Sequence, residues 1–277
     1  MIPPLPLEIQ QKILSLATRS KCAAATALRV SRTTHPWMER LVYKKIVLDG
    51  EDETREFLEC LRLRPMHIGF AQNSITSLYL RGALNESTLI QILSLCNGLT
   101  CLVLFVRTDA FMNDASSLRR ALDALQLKSL TLAMAIDFTN SINTFDVFKN
   151  LTHLEIVDRL VLKKPHAGLE ALHSLTHICL VLAPPSCNPV TVMRLIGNAR
   201  LRVLAFRVEH SHHEIERFLQ KHKILDRRIV LLPSLMVMWD ELGRGDMLVW
   251  ELAEEKVRLP IPQNSGSFIA SFGNGSS

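Results

Sequence analysis

The chain has 277 residues, of which 48% are hydrophobic and 21% are charged, and its formal net charge is +5. This hydrophobic content can supply a large core, and a charged fraction near the globular average excludes a largely disordered chain. The small positive excess has no interleaved aromatic residues beside it, so it does not predict a nucleic-acid-binding surface.

The first 48 residues predict a small basic helical segment. Leu5-Pro6-Leu7-Glu8-Ile9 suits a helix start, because proline fits the first turn and a carboxylate is favoured at the positive end of the helix dipole. Ile9, Ile13 and Leu16 then fall on one helical face, and a second helix is expected over 21–31. Eight Lys or Arg residues stand here against two acidic ones. With few apolar residues of its own, the segment is expected to dock on a partner.

A hexad of the form Leu-x-x-Leu-x-Leu follows and occurs six times. The copies are ITSLYL from Ile75, LTCLVL from Leu99, LKSLTL from Leu127, LTHLEI from Leu151, LTHICL from Leu175 and LRVLAF from Leu201. A short apolar strand recurring every 24 to 28 residues is typical of leucine-rich repeats. No single unit can bury its own apolar face, so neighbouring units must stack.

Helical patterns separate the hexads, and two weaker hexads flank them. Helices are expected from Asn85, Asp114, Asn188 and His212, with Asn85 as a cap and proline at the first position after Asn188. The weaker hexads begin at Tyr43 and Arg227. We therefore predict an α/β fold in which residues 49–235 form a leucine-rich-repeat solenoid. It has about eight strands in a curved parallel sheet, with helices on the outer side.

Hexad positions 3 and 5 point away from the leucine core, because side chains alternate along a strand. Together with the residue after each hexad, they form columns that we expect on the concave side of the sheet. Aromatic and arginine residues dominate binding hot spots. The candidate partner-binding residues are Tyr79, Arg81, Phe105, His153, Glu155, His177 and Arg207. The alternative left open is that partners use loops or the tryptophan-bearing end.

Residues 236–277 form the last predicted section. Six acidic residues stand against two basic ones over 236–256, flanked by Trp239 and Trp250. Repeat arrays need a terminal cap, so this segment is expected to shield the last repeat from water. The sequence from Pro260 onward is expected to be a mobile tail.

The N-terminal segment resembles the F-box, in particular that of mushroom-type fungal F-box proteins. The resemblance includes Leu5-Pro6-x-Glu8-Ile9, the Ile13-Leu14 pair, and then Leu28, Val30, Ser31 and Arg32. It continues with Trp37, Glu39 and the run Leu41–Leu48, and the end of the chain around Trp239 and Trp250 is also similar. The resemblance spans the full length, with its specific residues concentrated in 5–48.

This resemblance implies a non-catalytic receptor of a ubiquitin ligase. F-box proteins bind a Skp-family adaptor and, through it, a cullin–RING ligase, while their repeats hold a substrate protein. The residues implied in adaptor binding are Leu5, Pro6, Glu8, Ile9, Ile13, Leu14, Leu28 and Val30. The alternative is a stand-alone repeat scaffold without ligase association.

Catalysis, metal binding and cofactor binding are not predicted. Cys179 beside His177 and His153 could be imagined as a nucleophile with its base, but no oxyanion motif accompanies them. The histidines at 210, 212 and 213 lack the spacing of a metal site. No phosphate-binding glycine pattern is present. The two strand histidines are expected to be ordinary surface residues.

The cysteines and the apolar stretches predict a soluble intracellular protein, cytoplasmic or nuclear. The six cysteines form no CxxC or CxxxC pair and several lie in apolar runs, so all are expected to be reduced. The first residues lack a signal-peptide pattern. The longest apolar stretch, around 229–239, contains Pro233 and is too short to span a bilayer.

Overall fold

The structure is a computed structural model, and it describes the larger part of the chain. The described residues are 5–17, 23, 26, 28, 35–64, 66–107, 115–133, 145–158, 161–163, 168–184, 187–208, 212–232 and 249–258. Most of the predicted second N-terminal helix, Val30, Asp114, Trp239 and the tail from Pro260 lie outside these residues.

Eight parallel strands form one sheet, and their order in the sheet is their order in the sequence. The strands are β1 Lys45–Asp49, β2 Ser77–Ala83, β3 Cys101–Arg107, β4 Ser129–Leu132, β5 His153–Ile156, β6 His177–Val181, β7 Val203–Arg207 and β8 Ile229–Leu232. Equivalent hexad positions face each other across each pair of hexad strands; Ser129, for example, lies opposite His153. The predicted α/β class and the pairing of successive hexads are confirmed.

The hexad leucines build the core along the whole sheet. Every residue at hexad positions 1, 4 and 6 in the six clear copies is at most 2% exposed. Position 1 stands just before each strand, and positions 4 and 6 lie on one face of it, which we call the back face. Fully burying a leucine-sized side chain contributes about 1.5–3 kcal/mol, so this repeated triplet contributes strongly to stability.

Helices connect most of the strands. The described helices are α1 Leu7–Ala17, α2 His35–Lys44, α3 Gly50–Arg62, α4 His67–Ser74, α5 Glu86–Leu95, α6 Ala115–Asp123, α7 Pro189–Gly197, α8 His212–Lys221 and α9 Val249–Arg258. In the described parts of the connections before and after β5, short 3₁₀ turns lie at Asp146–Phe148, Val161–Lys163 and Leu169–Ala171. The helices predicted after Asn85, Asn188 and His212 are all present.

Threonines at hexad position 2 link successive units. The hydroxyl of Thr100 donates to the carbonyl of Thr76, and that of Thr176 donates to the carbonyl of Thr152. Their partners lie 24 residues earlier in the chain, one unit back. These bonds satisfy carbonyls at the entrance of each strand.

One of the two predicted N-caps makes its capping hydrogen bond, and the other does not. The Asn188 side chain accepts from the backbone N–H of Val190, and Pro189 occupies the first helical turn, as predicted. Asn85 stands at the N-cap position, but its side chain makes no capping bond. Instead the carboxylate of Glu51, in α3, accepts from the backbone N–H of Asn85 and from the hydroxyl of Thr88. The cap is therefore supplied by the preceding unit.

Candidate functional site

An exposed apolar row lies on α1. Leu5, Ile9, Ile13 and Leu16 are 55%, 44%, 50% and 52% exposed; the last three share one side of α1, and Leu5 lies two residues before the helix begins. We call these four residues the N-terminal patch. An apolar row open to solvent on a helix normally marks an interaction surface.

The remaining adaptor-binding candidates lie around the N-terminal patch. Pro6 and Glu8 are exposed, whereas Leu14 and Leu28 are half-buried. Leu14 lines a cleft beside α2, together with Trp37 and Leu41. Val30 lies outside the described residues. The structure thus brings Leu5, Pro6, Glu8, Ile9 and Ile13 together on one accessible surface.

An arginine between two aromatic rings links α2 to the end of α3 and to α4. The Arg64 guanidinium lies 4.6 Å from the ring centre of Tyr43 and 4.2 Å from that of Phe70. It also pairs with the Glu39 carboxylate at 2.6 Å. Met38 is completely buried. Because α2 is held by this cluster and runs directly into β1, the structure gives it a defined position against the first strand.

The face opposite the leucine core, which we call the front face, bears the predicted partner-binding residues. Their exposure varies widely. Phe105 and His153 are half-buried, and the Arg81 side chain, 41% exposed, pairs with Asp49. The other four residues are only 2–3% exposed: Tyr79, Glu155, His177 and Arg207.

The C-terminal helix α9 accounts for much of this burial, because it lies across the front face of the last four strands. Ala253 is fully buried there, and Trp250 and Val257 pack beside it. Beneath them lie apolar residues at outward strand positions, each at most 1% exposed: Cys179, Val203, Ala205, Val230 and Leu232. α9 therefore packs on the last two strands and also reaches back to β5 and β6.

Two stacked histidines, on β5 and β6, lie at the edge of the surface that α9 covers. The rings of His153 and His177 lie 4.2 Å apart and are nearly parallel, and the Trp250 ring meets both edge to face. His177 Nδ1 bonds with the hydroxyl of Thr176, and its Nε2 lies 3.1 Å from the Glu254 carboxylate. The two histidines are therefore not the ordinary surface residues that the sequence predicts.

Burial sets the protonation of this pair. Burial and, to a smaller extent, the neighbouring His177 together lower the pKa of His153 to about 4. Burial also lowers the pKa of His177, although the Glu254 carboxylate acts in the opposite direction. Both rings are consequently neutral at pH 7, which allows them to stack without charge repulsion.

A buried ion pair lies beside the histidines. Arg207 Nε donates to Glu155 Oε1 at 2.8 Å, and the Thr131 hydroxyl donates to Glu155 Oε2 at 3.2 Å. The Glu155 and Arg207 side chains are 5% and 3% exposed. Glu155 is thus paired with the arginine on β7, while the carboxylate beside His177 is that of Glu254.

The electrostatics of Cys179, beside His177 and His153, are not those of a catalytic nucleophile with its base. A reactive cysteine needs a lowered pKa, whereas burial and the Glu155 charge raise the pKa of Cys179. Among the described residues, no group of three His, Cys, Asp or Glu side chains is arranged to hold a metal ion. Five cysteines are described and all are free thiols. Within the same part of the chain, no helix is long and apolar enough to cross a membrane.

Comparison with known proteins does not assign this chain to a family. No family model matches the chain, and no curated protein is significantly similar to it.

Proposed function

We propose that this chain is the non-catalytic substrate-recognition subunit of a Skp–cullin–RING ubiquitin ligase. In this proposal the N-terminal segment is an F-box that docks on a Skp-family adaptor, and a leucine-rich-repeat solenoid holds a substrate protein. The setting is intracellular, in the cytoplasm or the nucleus. The observation that supports the proposal most directly is the N-terminal patch, whose four apolar side chains are open to solvent on α1 and immediately before it.

The position of the patch fits such a role. It lies on α1, which contacts α2, and α2 leads without a break into the first strand of the sheet. A receptor has to hold its substrate at a defined place relative to its adaptor. The Arg64 cluster, which ties α2 to α3 and α4 through Glu39, Tyr43 and Phe70, supports a defined geometry of that kind.

The sheet supports the repeat interpretation. Each unit contributes one strand, one buried leucine triplet and, in most units, one connecting helix, and successive units pair in order. A stacked array of this kind offers one continuous face for a protein partner. On that face Arg81, Phe105 and His153 remain at least partly accessible.

Adaptor capture by purified protein tests the proposal. We expect the wild-type chain to bind a Skp-family adaptor, and we expect Pro6→Ala combined with Ile9→Asp to abolish that binding, because an aspartate would be buried in an apolar interface. Losing an interface hot spot costs about 2–4 kcal/mol, or roughly 30- to 1,000-fold in affinity. The measurement is isothermal titration calorimetry with the adaptor, alongside circular dichroism of each variant.

Leu225→Asp is the matched control, since Leu225 is 56% exposed but lies just before the last strand, far along the chain from α1. It should bind the adaptor like the wild type. Unchanged binding by the Pro6/Ile9 variant would show that the docking surface is elsewhere. A folded wild-type chain with no adaptor binding would favour the alternative, a stand-alone interaction scaffold.

A further inference from the structure

The front face of β5–β8 is shaped to hold a helix. Its floor consists of small or branched apolar side chains, among them Cys179 and Ala205, which are completely buried. Small floor residues allow a helix backbone to approach the sheet closely. The stacked rings of His153 and His177 form an aromatic wall at one end. We call this region the front-face groove.

The chain's own helix shows which side chains the front-face groove accepts. Leu252 packs against the same cluster, and the other residues of α9 that face the groove are Trp250, Ala253, Glu254 and Val257. Their spacing of i, i+3, i+4 and i+7 is that of an amphipathic helix lying in a groove. The opposite side of α9 is polar: Glu251, Glu255 and Arg258 are exposed.

Two of these contacts are specific rather than merely apolar. The Trp250 ring lies 5.2 Å and 5.8 Å from the ring centres of the two histidines. The Glu254 carboxylate lies 3.1 Å from Nε2 of His177, a side chain only 3% exposed. An imidazole nitrogen that carries its proton at Nε2 is a donor, which favours a carboxylate at this position. An aromatic residue followed four positions later by an acid therefore matches the groove.

We propose that the front-face groove is a helix-binding site for a partner protein, and that α9 occupies it in competition with that partner. The partner presents an amphipathic helix with an aromatic residue and a carboxylate four residues apart. The identification of this partner as a substrate rests on the proposed function, whereas the helix binding itself does not.

Competition is feasible because α9 is short. Isolated helices below about 12–15 residues are marginal in water, and α9 has 10 residues, one of which is fully buried. A partner helix that is longer could also reach Ser129 and Phe105, which are half-buried on the strands beyond α9. It would thereby gain contacts that α9 does not make.

The test uses the full-length chain with α9 displaced. Ala253→Asp places a carboxylate against the apolar floor, so α9 should leave the front-face groove. The probe is a fluorescein-labelled peptide of residues 249–258, VWELAEEKVR, with a hydrocarbon staple replacing the exposed positions 251 and 255. Fluorescence anisotropy measures its binding without any adaptor present. We expect the Ala253→Asp chain to bind at least 10-fold more tightly than the wild type, whose groove is occupied.

The side chains of the probe supply the specificity control. A stapled peptide with Trp250→Ala and Glu254→Gln should bind the Ala253→Asp chain at least 10-fold more weakly. Equal binding of the two peptides would overturn the proposal, and so would no binding to an Ala253→Asp chain that keeps a cooperative thermal transition. A wild-type chain that binds the probe as tightly as the variant would also overturn it.

Two further outcomes decide against the proposal. If Ala253→Asp does not fold, the full-length Trp250→Ala, Glu254→Gln variant, which removes two contacts without adding a buried charge, takes its place. Loss of cooperative unfolding in that variant too would make α9 an integral part of the core. A wild-type dimer that either variant converts to monomer would identify the occupant as a second copy of this chain. Failure of adaptor binding would leave the anisotropy result unaffected, so the two proposals fail separately.

Discussion

Removing the negative charge of Glu155 should destabilise the protein strongly. Glu155→Gln keeps the shape of the side chain and an oxygen for the Thr131 hydroxyl, but it removes the carboxylate charge 2.8 Å from Arg207 Nε. Both members of the ion pair are almost completely buried. The arginine would therefore keep its charge in the interior while losing its nearest negative charge.

The magnitude follows from distance and burial. Two unit charges 2.8 Å apart interact by about 6 kcal/mol at an effective dielectric constant of about 20. The glutamine oxygen can retain a hydrogen bond with a net value of about 1 kcal/mol. Breaking a buried pair by removing one partner costs about 3–5 kcal/mol, and we expect a loss in this range.

Urea unfolding followed by circular dichroism measures the loss. Thr131→Val is the matched control, because it removes one hydrogen bond to the same carboxylate and should cost about 1–2 kcal/mol. Adding Arg207→Met to Glu155→Gln removes the remaining buried charge and should restore at least 2 kcal/mol of the loss. A Glu155→Gln protein destabilised by less than 1 kcal/mol would refute the reasoning.

Three more predictions concern stability. Gly98→Ala should lower the free energy of unfolding in urea by about 1–3 kcal/mol, because the new Cβ would lie 1.9 Å from the carbonyl oxygen of Gln72. The control is Gly69→Ala, in α4 with open space around it, which should leave the free energy of unfolding unchanged or raise it by up to about 1 kcal/mol. Burial raises the pKa of Glu51, but its hydrogen bonds more than offset this and hold the pKa at about 2. The Glu51 carboxylate should therefore contribute a loss of stability to the wild type as pH falls from 4.5 to 2, and Glu51→Gln should lack this contribution. Burial and the facing histidine lower the pKa of His153 to about 4, so stability should fall as pH drops from 6.5 to 4, and His153→Phe should show a smaller fall. Equal pH profiles of wild type and variant in either window would contradict the corresponding assignment.

The sequence by itself determined the sheet and its core. The hexad places apolar residues at fixed local positions, and units of nearly constant length stack on their nearest neighbours, so strand order follows chain order. Residues such as Leu78 and Leu154 are buried for this reason. The apolar face of α1 is also a local pattern, and Ile9 and Ile13 on it are exposed.

Only the tertiary structure decided what covers the front face. The contact between His177 and Glu254 joins residues 77 apart, and that between Glu155 and Arg207 joins residues 52 apart. No periodicity relates such partners, because each depends on where α9 lies and on which strands are two places apart in the sheet. For the same reason the carboxylate of Glu51, not the local Asn85 side chain, caps α5. The local pattern determines which side chains point to the front face of the sheet. Long-range packing determines whether such a side chain is exposed to water, paired with a buried charge or covered by α9.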